Sequence, residues 1–162
     1  MSRRFQQVDV FGSGAFSGNP LAVVLDAEGL STEQMQGITR WMNLSETAFV
    51  LPPTTPDADY RVRIFTLARE LPFAGHPTLG SCHAWLASGG VPRRSGEIVQ
   101  ECGAGLVPIR RQEGPLAFAA PPLFRSGPVD EAYLDEVVRV LGIERASVLD
   151  AQWIDNGPGW VG

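Results

Sequence analysis

A histidine at the start of a predicted helix is the feature of this 162-residue sequence that points most directly to chemistry. The segment Gly75-His76-Pro77 leads into an apolar stretch that predicts a helix from Pro77 to Ala87. Proline suits the first helical position because its missing N–H would have no partner there. The first backbone amides of a helix are unpaired and favour an anionic ligand. The sequence therefore predicts an anion-binding helix start that also carries an imidazole.

A second candidate group, Glu46, lies in the segment Asn43–Thr47 between a predicted helix and a predicted strand. If apolar residues such as Phe49 and Phe65 bury it, the pKa of its carboxyl group rises towards neutrality, and the group can both take and return a proton. The alternative is an ordinary surface glutamate. For His76, the positive end of the helix dipole favours the neutral imidazole, and the alternative is a plain helix cap.

Three segments together resemble the PhzF-like branch of the diaminopimelate epimerase superfold. They are Phe16–Val24, which contains Gly-Asn-Pro, then Asn43–Thr47 and Arg69–Gly80, and they fall in the same order and at similar spacing as in that family. The resemblance implies a cofactor-independent isomerase or epimerase that moves a proton on a small carboxylic acid. It also implies two similar lobes with the active site in the cleft between them.

The resemblance implies a role for each matching residue. Glu46 is the expected acid/base, and His76 is expected to orient the substrate or relay the proton. The expected substrate-binding residues are Asn19, Ser45, Gly75, Pro77 and Thr78. For Asn19, bracing the cleft wall is an equal alternative to contacting the ligand. The aspartate that the family draws from its second lobe has no assignable counterpart in this sequence.

The cysteines do not fit a two-thiol racemase. Relatives in the superfold place a catalytic cysteine just before the glycine that corresponds to Gly75, and this chain has Ala74 there. Cys82 falls inside a predicted helix and Cys102 in a predicted strand, where burial is expected. Neither has the spacing of a zinc site, His83 is interpreted as structural, and no metal site is expected. A carboxylate-based proton transfer remains.

Hydrophobic periodicity and turn residues predict the elements that must hold these groups. Strands are expected at 5–11, 21–25, 48–51, 60–65, 98–101, 106–110, 116–119 and 147–154, and helices at 32–42, 77–87 and 130–141. The first helix opens on a capping box of Ser31 and Gln34. Many short strands without regular βαβ alternation favour an α+β fold. The resemblance adds a curved, mostly antiparallel sheet wrapped around a central helix, for which 77–87 is the candidate.

The amino-acid composition limits which class of protein this can be and which partners it can have. Hydrophobic residues make up 44% of the sequence and charged residues 19%, as is typical of a soluble globular protein. A formal net charge of -5 argues against nucleic acid as a partner. No apolar run is long enough to span a membrane. Few cysteines, and no apolar signal-peptide region after Met1, favour the cytoplasm.

The domain organisation expected from the resemblance is one full lobe and part of a second. Residues 1–120 are expected to form the epimerase-like lobe, and residues 121–162 a linker and the beginning of a second, incomplete lobe. A lobe made to face another leaves apolar surface open, so a homodimer is expected, with Trp153 and Trp160 as contact candidates. Two alternatives stay open: an inactive fragment or binding lobe, and a lobe completed by a second copy.

Overall fold

The structure, a computed structural model, describes residues 2–111 and 114–162. The chain forms two compact units, Met1–Pro121 and Pro122–Gly162. The first unit contains eight strands and two helices, and the second contains two strands, one helix and a short 3-10 turn among the described residues. In this described part of the chain, no helix is both long enough and apolar enough to cross a membrane.

The first unit is built on a curled, mostly antiparallel sheet. Its strands are β1 (Phe5–Val10), β2 (Asn19–Val24), β3 (Glu46–Leu51), β4 (Tyr60–Thr66), β5 (Glu70–Leu71), β6 (Glu97–Cys102), β7 (Gly105–Arg110) and β8 (Ala117–Phe118). Their order across the sheet is β1-β2-β3-β4-β6-β7-β8, and β5 pairs with β4. The pairs β2–β3 and β4–β6 are parallel. The predicted α+β class with a curved sheet is confirmed.

Helix α2 (Gly75–Ala87) is the helix that the sheet surrounds. It contacts β1, β2, β3 and β4. Because strands cover it on several sides, its sequence is small or apolar on most faces and lacks a single apolar stripe. The helix begins two residues before its predicted start, so Pro77 is its third residue. That position is still in the first turn, where a missing N–H breaks no helical hydrogen bond.

Helix α1 (Thr32–Met42) covers the outer face of the sheet and has the predicted boundaries. Ser31 accepts a hydrogen bond from the Gln34 amide while the Gln34 side chain accepts one from Ser31 N–H, so the capping box is present. Met35 of α1 packs there in a cluster with Val24, Phe49 and Phe65. At β3 and β4 the sheet is therefore covered on both faces, by α2 inside and α1 outside.

The second unit contains β9 (Arg125–Pro128), α3 (Glu131–Leu141), a 3-10 turn (Arg145–Ser147) and β10 (Gln152–Asp155). Strands β9 and β10 pair antiparallel. Helix α3 is capped by the Asp130 side chain, and Gly142 follows it in a left-handed conformation. The predicted strand 147–154 is wrong in its first half, and β9 lies near the start of the 121–162 segment, where no strand was predicted.

The role predicted for Trp153 at a contact surface is also wrong. Its side chain is 8% exposed and packs in the core of the second unit with Val129, Leu134 and Val138. The Arg125 guanidinium lies 3.4 Å from the centre of the Trp153 ring and covers it. Trp160, the other candidate, is 58% exposed.

Gly80 marks a close approach of α2 to the sheet. A Cβ atom at this position would lie 2.5 Å from Leu21 Cδ2 and 2.9 Å from Val10 Cγ2, well inside van der Waals contact. Both neighbours belong to the core around α2, where there is little room to move aside.

We expect Gly80→Ala to lower the free energy of unfolding by about 1–3 kcal/mol, because the core must shift to admit the methyl group. Gly37→Ala is the matched control, since Gly37 is exposed in the interior of α1 and an added Cβ meets nothing within 4 Å. There the same change should stabilise by about 0.5–1 kcal/mol through helix propensity. Urea unfolding followed by circular dichroism measures both. An equal gain in the two variants would contradict the close approach.

Candidate active site

Glu46 is the first residue of β3 and not, as predicted, part of the segment before it. Successive residues of a strand point to opposite faces of the sheet. Ala48 and Val50 pack in the core around α2, so Glu46, which shares their parity, lies on the α2 side. The predicted walls, Phe49 and Phe65, pack on the α1 side and do not bury this carboxylate.

His76 is the second residue of α2 and meets Glu46 inside the first unit. Its Nε2 atom lies 3.4 Å from Glu46 Oε2, and the two side chains are only 10% and 18% exposed. The atoms are not aligned as a hydrogen bond, and neither has another hydrogen-bond partner among the described residues. Leaving two buried polar atoms unsatisfied is costly. A polar ligand atom that contacts both would remove that cost.

Burial lowers the pKa of His76 from its usual value near 6.5, and the neighbouring Glu46 carboxylate opposes this shift. The imidazole is therefore neutral at pH 7, with one ring nitrogen as donor and the other as acceptor. The sequence predicted a neutral ring on the ground of the helix dipole, but the largest cause in the structure is burial. A neutral imidazole can donate a hydrogen bond to a ligand or relay a proton.

The first turn of α2 has no capping side chain. Its N-cap residue is Ala74, which offers no hydrogen-bond acceptor beyond its backbone. The amides of Gly75 and His76 precede Thr78, whose N–H donates to the Ala74 carbonyl at 3.2 Å, so they have no partner within the helix. Together with the positive end of the helix dipole, these amides favour an anionic group next to His76.

Asn19 and Ser45 lie together at the start of β2 and just before β3. The Ser45 hydroxyl donates to Asn19 Oδ1 at 3.5 Å, and Ser45 directly precedes Glu46. Asn19 therefore contacts the residue next to the carboxylate. Because Asn19 is exposed, its amide is also accessible to a ligand.

The structure places Pro77 and Thr78 in the core. The Thr78 hydroxyl donates to the Ala74 carbonyl at 2.9 Å and accepts from Gln100 Nε2 at 3.0 Å. Its polar groups are therefore used inside the protein, and it offers no free group to a ligand. Both residues shape the first turn of α2.

Asp9 is a positioning residue that the sequence analysis did not single out. Its carboxylate accepts hydrogen bonds from the N–H groups of Ser17 (3.2 Å) and Gly18 (2.9 Å), and so holds the loop that leads to Asn19. A Cβ on Gly18 would lie 2.3 Å from the Val10 carbonyl oxygen, so this approach requires glycine. The available signal was an aspartate near the end of a predicted strand, facing a Gly- and Ser-rich loop.

Among the described residues, neither the two cysteines nor the potential metal ligands form a second site. Burial raises the pKa of Cys82 to about 12 and also raises that of Cys102, so neither is a thiolate nucleophile at neutral pH. Across residues 2–111 and 114–162, no group of three or more His, Cys, Asp and Glu could hold a metal ion. His83 is exposed on α2.

Residues 8–160 match the family of phenazine biosynthesis-like (PhzC-PhzF) proteins. The chain belongs to this family. Over 97% of its length it is 44% identical to antisense-enhancing sequence 1 of Schizosaccharomyces pombe, of which it covers 55%. Over 68% of its length it is 45% identical to trans-2,3-dihydro-3-hydroxyanthranilate isomerase of Pseudomonas aeruginosa, of which it covers 39%.

The fold agrees with this assignment. A predicted epimerase from Pseudomonas aeruginosa superimposes with a TM-score of 0.72 and 29% sequence identity, over 94% of this chain and 56% of that one. The chain thus spans about half the length of the relatives it matches. The family resemblance inferred from the three sequence segments is confirmed.

The lowered pKa of His76 should make folding stability depend on pH. Below about pH 6.5 the unfolded chain binds a proton at this histidine, while the folded chain binds it only at lower pH. Stability therefore falls as the pH drops from about 6.5 through the folded pKa, by at most about 1.4 kcal/mol per pH unit.

His76→Gln should remove this part of the pH dependence, because glutamine does not titrate. His83→Gln, at the exposed histidine of the same helix, is the control and should retain it. Urea unfolding at a series of pH values between about 5 and 8 compares the three proteins. Identical pH profiles for His76→Gln and the parent chain would contradict the assignment.

Proposed function

We propose that this chain supplies one wall of the active site of a PhzF-family isomerase that moves a proton within a small carboxylic acid. The observation that supports this proposal is the pair of buried, unbonded atoms, Glu46 Oε2 and His76 Nε2, 3.4 Å apart. A positioned carboxylate beside a neutral imidazole is suited to general acid/base catalysis. In this proposal no cofactor is needed, because one proton is removed and one is added, with no net oxidation or reduction of the substrate.

Each group has a role in the proposed reaction. The Glu46 carboxylate removes a proton from a substrate carbon, and the resulting carboxylic acid, whose proton can exchange with solvent, delivers a proton at another position. The neutral His76 donates a hydrogen bond to the substrate or relays the proton. The amides of Gly75 and His76 hold the substrate carboxylate at the positive end of α2. Asn19 and Ser45 brace the wall beside Glu46.

The relatives support this substrate class. The Pseudomonas aeruginosa relative is named as an isomerase of a dihydro-hydroxyanthranilate, which is a carboxylic acid. The proposal extends the class, a small carboxylate, to this chain and leaves the individual substrate to experiment.

A second candidate function is binding or self-association without catalysis. The chain covers only 39–56% of the relatives described above. The family resemblance also places an acidic partner of Glu46 on a second lobe. Without a group on the opposite side of the cleft, proton transfer loses one of its two participants and the exclusion of water that closure provides.

Solvent deuterium exchange separates these functions. We expect the 162-residue chain alone to incorporate little deuterium into trans-2,3-dihydro-3-hydroxyanthranilate or related carboxylates, and a longer chain that carries a second lobe to incorporate it readily. In the longer chain Glu46→Gln should slow exchange by roughly 10²–10⁴-fold, whereas Glu28→Gln, at an exposed glutamate, is the matched control.

The outcomes decide between the proposals. Exchange by the 162-residue chain, lost in Glu46→Gln, would show that one lobe suffices alone or as a dimer. Exchange in the longer chain that survives Glu46→Gln would contradict the proposed catalytic role. Absence of exchange in both chains across the panel of carboxylates would favour the binding function.

We also propose that the chain forms a homodimer in the cytoplasm. Support comes from exposed aromatic residues, of which Phe16 is 99% exposed and Trp160 is 58% exposed. Exposed apolar surface of this kind favours association. Sedimentation equilibrium should give twice the chain mass, with weaker association in Phe16→Asn or Trp160→Gln. A monomer at all protein concentrations, or association unaffected by either change, would contradict the proposal.

A further inference from the structure

Four polar side chains form a hydrogen-bonded group inside the core of the first unit. Tyr60 OH donates to Gln100 Oε1 at 2.9 Å, and Ser81 Oγ lies 3.4 Å from the same oxygen. Gln100 Nε2 donates to Thr78 Oγ1 at 3.0 Å. All four residues are at most 1% exposed. Buried polar groups are costly unless bonded, so this Gln100 cluster holds its members in one arrangement.

The cluster joins α2 to the sheet. Tyr60 of β4 and Gln100 of β6 are direct neighbours where these two strands run parallel. Thr78 and Ser81 belong to α2, one turn apart. The side-chain amide of Gln100 is therefore a directional link across an interface that is otherwise formed by apolar contacts. Apolar contacts fix the distance between α2 and the sheet better than they fix the rotation of α2 about its axis, whereas a hydrogen bond depends on direction.

The link continues to the first turn of α2. Thr78 bonds the Ala74 carbonyl twice, from its hydroxyl at 2.9 Å and from its N–H at 3.2 Å. Ala74 provides no side-chain cap of its own. The turn that carries His76 is thus held from the core side, by Thr78, and Thr78 is held by Gln100.

We propose that Gln100 is a positioning residue of the site: through Thr78 it holds the first turn of α2, and thereby sets the placement of His76 against Glu46. The catalytic meaning of this placement rests on the proposed function, but the placement itself does not. An amide is required because Oε1 accepts from Tyr60 while Nε2 donates to Thr78. A carboxylate has no N–H for Thr78, and methionine supplies neither bond.

Proton titration of His76 by NMR tests the proposal without using activity. The chain has only two histidines, and the exposed His83 on the same helix is an internal reference. In Gln100→Met the first turn should loosen, water should reach the imidazole, and the His76 titration midpoint should rise by about half a pH unit or more. The His83 midpoint should stay constant.

Two further variants test the route. Thr78→Val removes the hydroxyl and should shift the His76 midpoint in the same direction. The double variant Thr78→Val/Gln100→Met should shift the midpoint no further than the larger of the two single changes, because both changes break the same series of hydrogen bonds. Ile109→Val, which trims a fully buried residue of the same core outside the cluster, is the control and should leave the midpoint in place.

An unchanged His76 midpoint in Gln100→Met, fully additive shifts, or an equal shift in Ile109→Val would overturn the proposal. If Gln100→Met does not fold, Tyr60→Phe decides, since it removes a single hydroxyl from the cluster: a raised His76 midpoint supports the route and an unchanged one overturns it. A chain without isomerase activity would count against the proposed function alone, because the histidine titration does not depend on substrate.

Discussion

Enclosure of α2 by the curled sheet is the constraint on which the rest of the first unit depends. A helix contacted by four strands must present small or apolar residues on most of its faces, as α2 does. At Gly80 the Leu21 side chain comes so close to the helix that a Cβ atom would not fit. At β3 and β4 the outer face of the same sheet is covered by α1. These central strands are thus buried on both sides, and residues 47–50 of β3 are all buried.

The same enclosure produces the unusual electrostatics at the start of α2. Desolvation disfavours the charged imidazole, and the nearby carboxylate compensates for only part of that cost. The first turn cannot rely on a capping side chain, since Ala74 has none to offer, so it depends on bonds made in the interior. The stability of the core and the geometry of the site are therefore supported by the same contacts.

Local signals in the sequence were sufficient to predict the elements that begin or end at capping residues. Helix α1 has the boundaries predicted from Ser31, Gln34 and its apolar spacing, and α3 starts at Glu131, one residue after its predicted start. Glu46 and His76 were singled out by type and by family spacing, and the structure brings them together. The strands β5, of two residues, and β9, of four, were not predicted, because each is too short to show a clear pattern.

The remaining errors have a physical cause. Alternation between polar and apolar residues reveals which face of a strand is buried, and β3 has no such alternation because both faces are covered. The predicted strand therefore began only at residue 48; because Glu46 belongs to β3, its three-residue separation from Phe49 puts the two side chains on opposite faces. A buried Gln100 is equally invisible, since glutamine is common on strand surfaces and its partners come from two other elements.

The position of Glu46 as the first residue of β3 has a consequence for how such chains tolerate changes in length. The three residues 43–45 connect α1 to β3, and Asn43 already adopts a left-handed conformation to end the helix. This connection is too short to lose a residue without a change elsewhere, so a one-residue deletion would shift the register of β3 by one residue. Since strand side chains alternate, that slip would bring Thr47 to the inner face and turn the carboxylate towards α1. Homologues that keep the pairing of Glu46 with His76 should therefore vary in length at other loops before this one.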